Sequence, residues 1–290
     1  MTISFFRGYD LYCRSIRCRF ISGAVLALCL VSGSAARAEE PAPLRIAAAG
    51  SLRGALDDVA ARFTRRTHIP TQITYGPAGQ LNHRIQGGEA VDVFLSANAV
   101  YPELLAQARQ AYMPFIFVKN SLCFKVLSQS GVTADTITAK LSDPAVHIGI
   151  STPGSDPAGD YGWQVLGNFE RLENMAPGSV LYRARALTGG AVAPPVPQGM
   201  NPVVYFLKTG QVEAFITYCS RQHVQKQDEG ITQFPVPSDI AVPVDYAGVT
   251  LIRTDRKPAA DAFEKELRSP RAQAVFERYG FIGVKGGDAE

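Results

Sequence analysis

The stretch LRIAAAGSLRGALDDVAARF, residues 44–63, changes its period midway. Leu44 to Ala49 is a short, largely apolar run, the pattern of a strand buried on both faces. From Leu52, apolar residues recur at Leu52, Ala55, Leu56, Val59, Ala60 and Phe63, the spacing of one helical face. The reading places Ser51 at the helix N-cap, where a hydroxyl sits beside unpaired backbone N–H groups and the positive end of the helix dipole. Such a junction is an anion site that needs no charged side chain.

Outward from this unit, strand-like and helix-like segments alternate, which predicts an α/β fold with largely parallel sheets. Strands are expected at Leu44–Ala49, Thr71–Tyr75, Asp92–Ser96, Phe115–Val118, His147–Ile150, Ala214–Tyr218 and Val249–Arg253. Helical stretches fall at Leu52–Phe63, Gln80–Ile85, Tyr101–Ala108, Ala134–Leu141, Tyr161–Leu172, Val203–Leu207, Ala259–Leu267 and Pro270–Tyr279. Residues 189–199 (GGAVAPPVPQG) are rich in Gly and Pro and read as a loop. The segment FIFVKNSLCFKV, residues 115–126, holds two apolar runs separated by Lys119-Asn120-Ser121. It suits a chain leaving one domain and entering another, being long for a single strand.

The first 38 residues read as an export signal: Arg7, Arg14, Arg17 and Arg19, then an apolar run from Ile21 to Val31, then Ala36-Arg37-Ala38. Cleavage is expected after Ala38. Cys29 follows Leu26-Ala27-Leu28, and the bulky Leu28 disfavours a lipoprotein anchor. The segment carries five arginines and one aspartate, so the formal +3 of the whole chain becomes about −1 for the rest. With no basic arm, nucleic acid is not an expected partner. No later stretch is apolar enough to span a membrane. Of the five cysteines, only Cys123 and Cys219 lie beyond the signal, and an oxidising compartment allows them to pair.

Enzyme signatures are missing: there is no G-x-S-x-G, H-E-x-x-H or Walker A sequence, and no metal-spaced Cys/His cluster. His68, His83, His147 and His223 are scattered, and Asp57-Asp58 reads as the solvated face of its helix. What recurs is a junction of small residues between strand and helix. Gly50-Ser51 is the first, Gly76-Pro77-Ala78-Gly79 the second, and Gly154-Ser155-Asp156-Pro157-Ala158-Gly159 the third. Three such junctions direct backbone N–H groups to the carboxyl ends of the strands, where open α/β sheets bind ligands.

The segments AAAGSLRGALDDVAARF, GGEAVDVFLSAN, PAGDYGWQVL and RAQAVFERYGF resemble the periplasmic molybdate-binding proteins of ABC transporters, over about Leu44 to Gly283. The resemblance implies a type II-like periplasmic binding protein, with two α/β lobes joined by crossing strands and a cleft that clamps a tetrahedral oxyanion. It implies lobe 1 from 39–120 with 222–290 and lobe 2 from 121–221. It also implies a monomer in the periplasm, molybdate or tungstate as transported ligand, no other cofactor or metal, and a membrane permease as partner.

Carried over by position, the resemblance makes Ser51 a hydroxyl and N–H donor and places Ala78 in the second loop. Ala158 and Met200 become main-chain donors, and Tyr218 the phenol that completes the site. Gly79 is a further candidate. The family usually has a serine at the Ala78 position, so one side-chain donor is lost. Asp156 before Pro157 is a strong N-cap, yet a branch that binds tungstate and molybdate has an Asp before Pro that coordinates the metal centre, which keeps Asp156 a candidate ligand. A hinge disulfide between Cys123 and Cys219 is the corresponding expectation for the cysteines. Other readings are a binding protein for sulfate, another oxyanion or a small organic anion, or a hydrolase or transferase with Ser51 as nucleophile and His83 as base.

Overall fold

The computed structural model describes residues 42–220 and 230–284. The expected export signal with its cleavage site, Cys13, Cys18, Cys29 and His223 lie outside the described residues.

Two five-stranded sheets organise the chain. The first contains β1 (Leu44–Ala49), β2 (Thr71–Gly76), β3 (Val93–Ser96), β4 (Phe115–Asn120) and β10 (Val244–Thr250), in the order β2-β1-β3-β10-β4. The second contains β5 (Leu122–Leu127), β6 (Ile148–Ser151), β7 (Ala184–Thr188), β8 (Ala214–Tyr218) and β9 (Ile231–Pro235), in the order β7-β6-β8-β5-β9. The two orders correspond. A central strand (β1 or β6) is flanked by two parallel neighbours, and an antiparallel strand (β10 or β5) separates this trio from the last strand. Those antiparallel strands are the ones that carry the chain across, β5 leaving the first sheet and β10 returning to it.

The crossing falls where the sequence breaks between apolar runs: Ser121 alone separates β4 from β5. The return lies later than expected. β9 pairs antiparallel with β5 from Leu127↔Ile231 to Cys123↔Pro235, so the second sheet extends to Pro235 rather than ending at 221. The last strand also differs from expectation: β10 begins at Val244, and Ile252 and Arg253 lie beyond it.

Helices α1 (Ala55–Thr67), α2 (Ala78–Gln86), α3 (Val100–Gln107), α7 (Lys257–Leu267) and α8 (Pro270–Arg278) accompany the first sheet. Helices α5 (Pro157–Leu172) and α6 (Pro202–Lys208) accompany the second, and Ile137 and Leu141 of α4 (Ile137–Ser142) line one cavity with Val126 of β5 and Ala214 of β8. Helix α1 buries the apolar face read from its sequence, Ala55, Leu56, Val59, Ala60 and Phe63. Phe63 meets Phe263 of α7 edge to face, at 5.0 Å between ring centroids. The segment after α8 is anchored by mutual backbone hydrogen bonds between Lys119 and Ile282, both 2.8 Å, and by Phe281, whose ring lies 5.5 Å from that of Tyr246.

The N-terminus of α1 corrects the opening expectation. Gly50 to Leu52 form a single 3₁₀ turn, and the α-helix starts at Ala55 with Gly54 as N-cap. Gly54 has φ 61° and ψ −66°, a backbone state that a side chain makes costly. Ser51 is therefore not the cap of α1. It lies in the tight turn that follows β1.

Candidate functional site

A cavity of about 400 Å³ opens between the two sheets at the carboxyl ends of β1, β2, β6, β7 and β8. The first lobe contributes Ala49 to Ser51, Arg53 and Tyr75 to Pro77; the second contributes Ser151, Asp156, Ala158, Thr188, Gly189, Pro202 and Phe215 to Tyr218. Crevices at strand ends are where open α/β sheets bind ligands.

Ser51, Asp156, Ala158 and Tyr218 line this one cavity. Tyr218, at the end of β8, is 8 % exposed, and its hydroxyl has no hydrogen-bond partner among the described residues. Burial, followed by the neighbouring Tyr246 and Asp156, pushes its phenol well above the usual tyrosine range, so it stays a neutral O–H donor. A buried hydroxyl without a partner costs roughly 1–3 kcal/mol, and the Tyr218 O–H, on the cavity wall, is placed to donate to an acceptor there. Ser51 Oγ lies 2.8 Å from the hydroxyl of Tyr246, a wholly buried residue of β10.

Asp156 has the capping role that its place before Pro157 implies, accepting the Ala158 N–H at 3.2 Å. Its other oxygen accepts the Ser151 hydroxyl at 2.7 Å. The Ala158 N–H is thus engaged by a carboxylate rather than open to the cavity. Burial raises the Asp156 carboxyl above the usual range, and the charge of Asp160 adds to this; the bonds from Ser151 and Ala158 act the other way.

Three expected contacts are placed differently. Ala78 is fully buried, and its neighbours Gly76 and Pro77 face the cavity instead. The Gly79 N–H donates to the Ser155 carbonyl of the opposite lobe at 2.9 Å, joined by Gln80 N–H at 3.3 Å. Gly79 is therefore a closure contact. A Cβ there would fall 2.4 Å from the Gly154 oxygen, which explains why the position takes glycine. Met200 is 42 % exposed and its N–H donates to the Pro197 carbonyl at 3.1 Å, because the loop turns back on itself there. It does not line the cavity.

Further bonds cross between the lobes. Gln80 Nε2 donates to the Gly189 carbonyl at 3.1 Å, and the Tyr101 hydroxyl to the Gly154 carbonyl at 3.0 Å. Cys123 and Cys219 are joined by a disulfide with Cα atoms 5.0 Å apart, beside the β4–β5 crossing.

The sequence reading missed Arg53, Ser151 and Tyr246. Arg53 stands at the cavity wall with its guanidinium 4.2 Å from the centroid of the Tyr75 ring, a cation–π contact. It is one residue from Gly54, and no motif marked it. His83 is exposed on α2 and does not line the cavity, so no histidine among the described residues stands there as a base for Ser51. No group of three or more His, Cys, Asp or Glu among the described residues is placed to hold a metal ion, and no described helix is long and apolar enough to cross a membrane.

Comparison with known proteins gives a consistent picture. The family described as bacterial extracellular solute-binding protein matches residues 44–282. An uncharacterized protein of Pasteurella multocida (strain Pm70) is 33 % identical over 207 residues, 70 % of this chain and 85 % of that one. The molybdate-binding protein ModA of Azotobacter vinelandii is 24 % identical over 88 % of this chain and 96 % of its own. A solved periplasmic molybdate-binding protein of that organism has a TM-score of 0.64 at 22 % identity, covering 83 % of this chain and all of that one (100 %). The sulfate-binding protein SubI of Mycobacterium tuberculosis H37Rv has a TM-score of 0.66 at 13 % identity, covering 84 % and 88 %. At these identities the solved structures establish the two-lobed fold.

Proposed function

The chain belongs to the bacterial extracellular solute-binding protein family, and from that premise we propose that it binds molybdate or tungstate in the interlobe cavity and delivers it to an ABC transporter permease. The observation that carries the reading is the Tyr218 hydroxyl, buried without a partner on the cavity that Ser51 also lines. A tetrahedral oxyanion offers acceptors on all sides and would take both hydroxyls. Gly76 and Pro77 bring backbone of the second junction to the same space, and Arg53 supplies a positive charge at the wall.

The mechanism is hinge closure. An anion held by Ser51 from one lobe and Tyr218 from the other favours the closed state, in which Gly79 and Gln80 already donate to Ser155. The permease then reads that state. Molybdate or tungstate would be separated from sulfate by anion size, because the hydrogen-bonding pattern of these dianions is alike. After export and removal of residues 1–38, the protein would work as a periplasmic monomer.

Calorimetry of the stripped protein with molybdate, tungstate, sulfate, phosphate and a small organic acid tests the reading. Molybdate and tungstate are expected to bind most tightly, and Tyr218→Phe to weaken them about tenfold or more. Binding of the organic acid alone would overturn the oxyanion assignment. Preference for sulfate would keep the class and change the ligand.

A further inference from the structure

Asn120, the last residue of β4, is buried at the crossing between the sheets. Its Oδ1 accepts the Ser121 N–H at 2.9 Å, which fixes the orientation of the amide. Its Nδ2 therefore faces Tyr246, donating to the phenolic oxygen at 3.2 Å, and also faces Ser220, donating to Oγ at 2.9 Å. The Tyr246 oxygen accepts that bond, and its own proton must go elsewhere, because the residue is wholly buried. Asn120 Nδ2 is a donor and cannot take it. Tyr218, with its ring 5.6 Å away, makes no bond of good geometry, and its hydroxyl acts on Tyr246 as a donor, raising its own phenol and lowering that of Tyr246, so it does not take the Tyr246 proton. Ser51 Oγ, at 2.8 Å, is the acceptor that remains among the described residues.

We propose that Asn120 and Tyr246 are positioning residues that set the direction of the Ser51 hydroxyl: Asn120 donates to Tyr246, Tyr246 donates to Ser51, and the Ser51 proton is turned into the cavity. Ser51 is then an obligate donor toward the ligand. This makes the position selective, because a fully deprotonated oxyanion presents only acceptors, whereas hydrogenphosphate presents a P–OH that needs an acceptor. The inference rests on the proposed oxyanion site and adds a device to it: the polarity of a buried hydrogen-bond row leaves no acceptor for a protonated anion at the Ser51 position, so that any acceptor for it must come from Asp156 across the cavity. The same Asn120 amide holds Ser220, which follows the disulfide residue Cys219, so the donor toward the ligand is tied to the crossing between lobes.

The test is a thermodynamic cycle on the full chain with molybdate and phosphate as probes. Tyr246→Phe is expected to lower molybdate affinity about three- to tenfold in the wild-type background and to have no further effect beside Ser51→Ala. Asn120→Asp reverses the row, since a carboxylate accepts the Tyr246 proton and Tyr246 then accepts from Ser51. Its added charge weakens all dianions together, so the readout is the ratio, and the molybdate-to-phosphate preference is expected to fall about tenfold. Additive losses in the cycle, or an unchanged ratio in Asn120→Asp, would overturn the inference. Urea unfolding of Ser51→Ala, Tyr246→Phe and the double variant without ligand reports the bond on its own. If the wild type binds neither probe but the unfolding cycle shows coupling, the ligand assignment has failed while the bond stands; additive unfolding energies sink the row itself.

Discussion

The Asp156 carboxylate accepts the Ala158 N–H at 3.2 Å, so a negatively charged group holds the backbone donor at the mouth of α5. Since Asp156 also lines the cavity, it opposes any bound dianion when ionised. Burial raises its carboxyl, so the proton is taken up at a higher pH in the folded protein than in the unfolded chain. Stability from this group is therefore fully present below the ordinary aspartate value and is lost as pH rises through the folded value. Anion affinity should follow the same direction and increase as pH falls through that value. Asp156→Asn is expected to bind molybdate about tenfold more tightly at neutral pH and to flatten the pH dependence. Calorimetry across pH checks both, and a loss of binding in the variant would make Asp156 a ligand instead.

Glu170 on α5 behaves oppositely. Its buried carboxylate accepts three backbone N–H groups, from Gly178 at 2.8 Å, Val180 at 2.6 Å and Leu181 at 2.8 Å. Burial alone would raise it, but these bonds and the charge of Arg183 together hold it below the usual glutamate range. Its contribution is present above the unfolded value and is lost as pH falls through the folded one. Glu170→Gln turns an amide N–H₂ toward backbone donors and should cost about 2–3 kcal/mol. In a chain of this size that is a fall in Tm of roughly 5–10 °C. Thermal unfolding at neutral and acid pH checks it, and the gap between wild type and variant should narrow in acid.

The sequence was most legible where local chemistry decides the structure. The apolar run of β1 and Asp156 with Pro157 at the start of α5 stand as read, and the break expected at Lys119–Ser121 narrows to Ser121, because β4 continues through Asn120. Ser51 was misplaced because Leu52, Ala55 and Leu56 continue a helical spacing across Gly54, and periodicity does not register a positive φ. β7 and β9 escaped notice because they are partly exposed strands at opposite edges of the second sheet and carry polar residues. Tyr246 could not be found at all from local pattern, since its partner Ser51 lies 195 residues away in the chain.

The disulfide makes a stability prediction of its own. Cys123 and Cys219 are 96 residues apart, and closing a loop of that length in the unfolded chain stabilises the folded state by about 4–5 kcal/mol on the chain-entropy model. Reductant should lower the urea midpoint of the wild type and leave Cys123→Ser/Cys219→Ser unchanged. Mass spectrometry of exported protein should count no free thiol at either position. Two alkylatable thiols, or a midpoint insensitive to reductant, would contradict the expectation.

Gly79→Ala separates folding from closure. A Cβ at residue 79 would lie 2.4 Å from the Gly154 oxygen, 2.7 Å from the Ser155 oxygen and 2.8 Å from the Tyr101 hydroxyl. Two of these atoms are backbone of the opposite lobe, which cannot yield as a flexible side chain would. Residue 79 lies in the first turn of α2 without a positive φ, so alanine suits the local backbone. The variant should therefore unfold at a Tm equal to or slightly above that of wild type when its lobes are apart, yet fail to bring Ser155 against the start of α2. Molybdate affinity is expected to fall at least tenfold. Small-angle scattering with saturating molybdate should give a larger radius of gyration for the variant than for wild type, and equal radii with equal affinities would remove Gly79 from the closure mechanism.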